Sequence, residues 1–62
     1  MGETAYLVDT GDDPCAFKAA TPEKAVDWVQ RQQCSCVVWQ RVRIANRHLY
    51  RVFGVWQDGE LR

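Results

Sequence analysis

Hydrophobic and polar positions change period twice along this chain, and the changes divide it into a hairpin, a helix and a second hairpin. Thr4 to Thr10 (TAYLVDT) is rich in β-branched and aromatic residues and runs into the turn cluster Gly11-Asp12-Asp13-Pro14, which predicts a strand ending in a turn. Cys15 to Ala20 returns as its partner. Period-2 alternation gathers Tyr6, Val8, Cys15, Phe17 and Ala19 on one face and sends Glu3, Asp9 and Lys18 to the other, leaving Leu7 outward.

The period then lengthens. Thr21-Pro22-Glu23 predicts a helix start: a threonine N-cap, a proline where its missing N–H costs nothing, and an acid in the first turn to meet the helix dipole. The helix is expected to run to about Gln32. At 100° per residue Ala25, Val26 and Val29 share a stripe with Trp28 at its edge, while Glu23, Lys24, Asp27, Gln30 and Arg31 point away. Asp27 and Arg31 have the favourable i, i+4 spacing.

Alternation resumes from Cys36 to Ala45 and again from Leu49 to Gln57, across a polar break at Asn46-Arg47-His48, which predicts a hairpin. Its register follows from parity, because a slip of one residue moves every side chain to the other face. A three-residue loop sets Ile44 opposite Tyr50 and Val42 opposite Val52. Cys36, Val38, Val42, Ile44, Tyr50, Val52 and Trp56 then form a core face on which Gln40 is the polar exception. A two-residue loop mixes Arg51 with Val42 and Arg41 with Val52, which buries charge with no evident partner.

The expected architecture is therefore α+β, ββαββ, a four-stranded sheet with one helix on one face, in a single domain over 1–62. This order resembles the β-grasp fold of ubiquitin-like and immunoglobulin-binding bacterial domains, which implies that the first and last strands lie parallel at the sheet centre. The alternative is a simple antiparallel sheet. A chain of 62 residues buries a small core, and its 47% hydrophobic and 26% charged composition suits a folded domain. No apolar stretch approaches a membrane span. The odd set Cys15, Cys34 and Cys36 does not make a secreted disulfide framework, so the expected location is cytoplasmic.

A net charge of zero hides a division. Residues 1–30 hold six acids and two lysines, whereas residues 31–62 hold six arginines and two acids. The plain reading is a solvated surface whose halves neutralise one another. One helix covers one face of a sheet, however, and parity leaves Leu7, Trp39, Arg41, Arg43, Leu49, Arg51, Phe53 and Val55 on the other. Trp39, Arg41, Arg43, Arg51 and Phe53 are the candidate partner-binding residues, since tryptophan and arginine are enriched at binding hot spots. Stacking of arginine stems on the rings, or closure of a homodimer, would explain the same face without a foreign partner, so both monomer and homodimer stay open. The arginine-aromatic face also suits single-stranded RNA or DNA, against which stand the zero net charge and the absence of a basic run.

Glu3, Asp9, Asp12 and Asp13 cluster on the first hairpin. Acids in turns usually hold backbone N–H groups, and the sharper alternative is that they imitate phosphates. Cys15, Cys34, Cys36 and His48 are the possible zinc ligands, but Cys34-Ser35-Cys36 is too tightly spaced and His48 lies at the far end of the hairpin, so no metal is expected. With one histidine and no phosphate loop or nucleophile elbow, neither an enzyme nor a cofactor is expected. Very short cytosolic α+β chains with divided charge and no catalytic constellation resemble the small inhibitors that phages carry against host defence, including anti-CRISPR proteins. That resemblance implies a stoichiometric protein-binding inhibitor, acting by occlusion or by nucleic-acid mimicry.

Overall fold

The computed structural model describes residues 5–62. It contains β1 (Tyr6–Asp9), β2 (Phe17–Ala19), α1 (Pro22–Gln32), β3 (Cys36–Ile44), β4 (Arg47–Gln57) and β5 (Glu60–Leu61). The strands form one sheet in the order β2-β1-β3-β4-β5, with every neighbouring pair antiparallel. The α+β character agrees with expectation. The four-stranded, β-grasp-like arrangement does not: β1 lies between β2 and β3, and a short fifth strand pairs with the C-terminal end of β4. Since β2 and β3 both run antiparallel to β1, they run parallel to each other, and α1 is the crossover joining them.

That crossover fixes where the helix sits. Thr21 is extended (φ −133°, ψ 153°), and its hydroxyl accepts the Lys24 N–H at 3.3 Å. Pro22 opens the first turn, and Arg31 pairs with Asp27 at 3.0 Å. At the other end Gln33 takes a left-handed conformation (φ 51°) and donates its N–H to the Val29 carbonyl, which ends the helix. α1 rests chiefly on β1 and β2. Ala25 and Val29 are fully buried against Val8 and Val38, while Val26 and Trp28 flank them; Trp28 stacks on Phe17 at a ring-centroid distance of 5.1 Å. Tyr6, Ala19, Cys36 and Trp56 complete the core.

The first hairpin has the expected faces, with Tyr6 opposite Ala19 and Val8 opposite Phe17, except that Cys15 lies in the turn and is exposed. The second does not. Ile44 pairs with Arg47 across a two-residue turn in which Ala45 and Asn46 have φ of 49° and 65°, so Val42 faces Leu49 and Arg41 faces Tyr50. This is the primed-turn geometry that matches strand twist. Between Val38 and Trp39 the register shifts: Trp39 pairs with Val52 but Val38 with Gly54, leaving Phe53 as the extra residue of a β-bulge.

The burial objection to the two-residue turn fails for a reason of length. An 11-residue helix spans about 16 Å, whereas an 11-residue strand spans about 36 Å, the longest dimension of the molecule. The distal hairpin therefore projects beyond the helix, and Arg51 is exposed rather than buried. Among the described residues no charged side chain is buried.

β5 was not expected. Asp58 and Gly59 form a second two-residue turn with φ of 53° and 84°, and Gln57 pairs with Glu60 across it. The turn is tied to the segment after the helix: Asp58 N–H donates to the Ser35 hydroxyl at 3.1 Å, and Gly59 N–H to the Cys34 carbonyl at 3.0 Å. A Cβ at Gly59 would lie 2.9 Å from the Gln33 Cα, so the approach needs glycine for space as well as for its positive φ.

Candidate interaction surface

Register assigns each candidate side chain to a face. Leu7, Trp39, Arg41, Arg43 and Val55 lie on the face away from the helix, as expected. Tyr50 and Val52 join them there instead of facing the core. Arg51 lies opposite Gln40, on the helix side, and Leu49 lies opposite Val42 on that same side. Phe53 also turns to the helix side, where its ring meets Tyr6 edge-on at 5.2 Å and stacks near Trp56 at 6.4 Å. The proposed grouping of Trp39, Arg41, Arg43, Arg51 and Phe53 is thus split between two faces. The turn shifts Arg51 across, and the bulge turns Phe53.

On the open face Trp39 is half-buried beside exposed Tyr50 and Val52. Leu7, Cys15, Lys18, Arg41 and Tyr50 line a hollow of about 340 Å³ there. Arg43 donates to the Asn46 side-chain oxygen at 3.2 Å, bracing the turn. The helix side is open for a different reason. Because α1 sits over β1 and β2, a groove of about 520 Å³ remains between it and β4–β5, lined by Val26, Gln30, Phe53, Trp56 and Leu61. Gly54 lies under two of these residues: a Cβ there would lie 2.6 Å from the Trp56 indole and 3.3 Å from the Leu61 side chain. Gln40, the polar exception on this face, donates to the Tyr6 hydroxyl at 3.4 Å.

Among the described residues, exposed apolar bulk is confined to one part of the chain. The large hydrophobic residues more than 40% exposed are Ile44, Leu49, Tyr50, Val52, Phe53, Val55 and Leu61, all from the tip of β3 to β5. Arginine accompanies them. β3 and β4 carry Arg41, Arg43, Arg47 and Arg51 and no acid. Arg47 and Arg51 are exposed, and among the described residues their side chains make no ion pair or hydrogen bond.

The acidic hairpin is organised around its own backbone. Asp9 accepts the Gly11 N–H at 2.8 Å and Asp13 the Cys15 N–H at 3.0 Å, while Thr10 Oγ1 accepts the Asp13 N–H at 3.2 Å. Asp12 is exposed at the tip, and Glu3 lies outside the described residues. Two of the four acids therefore serve the turn, as short polar side chains in turns commonly do.

Cys34 and Cys36 are neighbours at the start of β3. Cys36 is buried, and its thiol is pushed from 9.0 up to about 11, first by burial and then by the adjacent Cys34. Cys15 is exposed in the first turn and His48 is exposed near the distal tip. Among the described residues no three His, Cys, Asp or Glu side chains converge as a metal-binding group. No described helix is long and apolar enough to cross a membrane. Comparison with known proteins finds no match: no family model, curated protein or solved structure is significantly similar to this chain.

Proposed function

We propose that this chain is a non-catalytic protein-binding module of the occluding-inhibitor kind, and that it binds through the projecting β3–β4 hairpin. The observation that carries the reading is that, among the described residues, exposed hydrophobic bulk is confined to residues 44–61. Exposed apolar groups scattered singly need no explanation, but a concentration of them on both faces of one hairpin in a domain this small marks a contact surface. Aromatic and arginine side chains together have the composition of binding hot spots. Occlusion is favoured over nucleic-acid mimicry because Asp9 and Asp13 are engaged by their own turn, and because the charged side chains of the hairpin strands are all cationic.

The test is capture of bacterial lysate proteins on the immobilised chain, with and without nuclease, by wild type and by the double variant Tyr50→Thr, Val52→Thr. Both changes place β-branched threonine in the strand while removing apolar surface. Capture that survives nuclease and drops at least about tenfold in the variant supports the reading. Capture lost with nuclease would transfer the hairpin to RNA or DNA binding instead.

A further inference from the structure

The outer edge of β4 is open over most of its length. β5 pairs only with Trp56 and Gln57, and the Arg62 N–H reaches the Val55 carbonyl at 2.8 Å. Among the described residues nothing pairs with that edge from Arg47 to Gly54. Outward-directed N–H and C=O groups on such an edge are a template for another strand. The side chains along it alternate: Arg47, Leu49 and Arg51 on the helix side with the bulged Phe53, and His48, Tyr50 and Val52 on the open side.

We propose that this edge receives an extended acidic-apolar peptide segment of a partner protein, added antiparallel to β4 as a sixth strand. The proposal rests on the protein-binding reading above and specifies its partner. Charge selects the occupant. A second copy of the chain is disfavoured, because β4 carries arginines and no acid, so pairing two β4 edges offers neither Arg47 nor Arg51 a carboxylate in any register and, centred on Leu49, sets the arginines opposite one another. A strand with acids opposite Arg47 and Arg51 and apolar residues opposite Leu49 and Phe53 answers all four on the helix side. β-Branched residues opposite Tyr50 and Val52 pack on the open side. Main-chain hydrogen bonds would supply affinity and the two arginines the choice of sequence. The same arginines protect a bare edge from self-association, as edge charges commonly do.

Read antiparallel from the Phe53 end, the complementary probe is Leu-Val-Glu-Val-Leu-Thr-Glu. Labelled and acetylated, it is titrated into the folded chain and followed by fluorescence polarisation and by backbone amide shifts. Saturable binding is expected, with shifts along residues 47–53. A probe with lysine for both glutamates, or one N-methylated at the backbone sites facing β4, is expected to bind at least about tenfold more weakly. The charge-reversed chain Arg47→Glu, Arg51→Glu, checked for folding by circular dichroism, is expected to prefer the lysine probe.

Absence of binding, equal affinity for the two charge forms, indifference to N-methylation, or a wild-type homodimer that shuts this edge would overturn the proposal. Equal competition by an oligothymidine would do so too, and would favour nucleic acid. Lysate capture tells the two failures apart. If Tyr50→Thr, Val52→Thr abolishes nuclease-resistant capture while the peptide results fail, the module binds protein by another part of the hairpin. If the double variant captures normally as well, both readings fall.

Discussion

The helix-covered end and the projecting hairpin share β3 and β4 and treat their side chains in opposite ways. At the covered end Val8, Val29 and Val38 are fully excluded from solvent, and the first hairpin, the helix and the β4–β5 turn all contribute ties. At the distal end Ile44 is 55% exposed although its parity places it on the same face as Val38. Alternation assigns a residue to a face; whether that face is buried depends on how far the covering element reaches. A helix about 16 Å long cannot cover a hairpin more than twice its length. The contrast implies that substitutions should affect stability at one end and association at the other.

The strongest way to break that comparison is Val29→Asp, which places a charge without a partner in the thin core. It is expected to cost at least about 4 kcal/mol, enough to unfold a domain of ordinary stability, and thermal unfolding by circular dichroism measures it. A cost near that of a surface substitution would mean that α1 does not pack as described. Gly54→Ala sharpens the boundary between the regions, because the added methyl meets the Trp56 ring rather than a flexible chain end. The expected loss is about 1–3 kcal/mol, read from the urea midpoint, together with a change in tryptophan fluorescence. Smallest is Val52→Thr, at a half-exposed site on the distal hairpin. Its stability should stay within about 0.5 kcal/mol of wild type by the same urea titration. A larger effect would show that the hairpin tip is already buried against something, such as a second copy.

Legibility in the sequence followed locality. Thr21-Pro22-Glu23 and the stripe Ala25, Val26, Val29 located the helix, because capping and helical periodicity act within a few residues. The first hairpin was readable for the same reason. Strand order was not, since nothing local in β1 says whether it will pair with β3 or with a later strand. The second hairpin failed at two small features. Alanine is an uncommon residue at positive φ, so Ala45-Asn46 gave little sign of the primed turn that places Arg51 on the helix side. The bulge did have a signal in Gly54, an isolated glycine inside an apolar strand, and it passed unread. So did Asp58-Gly59, a strong short-range turn pair, because the two-residue strand beyond it has no alternation to display. For the candidate site, Trp39, Arg41 and Arg43 were placed on the correct face, while Arg51 and Phe53 were misplaced by those unread features.

The bulge at Phe53 also bears on how the strand could change by insertion and deletion. Above it Trp39 pairs with Val52, and below it Val38 pairs with Gly54, so removing Phe53 alone would bring Gly54 next to Val52 and restore an uninterrupted ladder. Every other residue of β4 would keep both its partner and its face. A single-codon deletion at this site is thus a frame-neutral edit of the fold, whereas the same deletion at Tyr50 or Leu49 would carry the neighbouring side chains to the opposite face. Phe53 is a modular residue: lineages could gain or lose the ring between Tyr6 and Trp56, and with it part of the helix-side groove, without rebuilding the sheet.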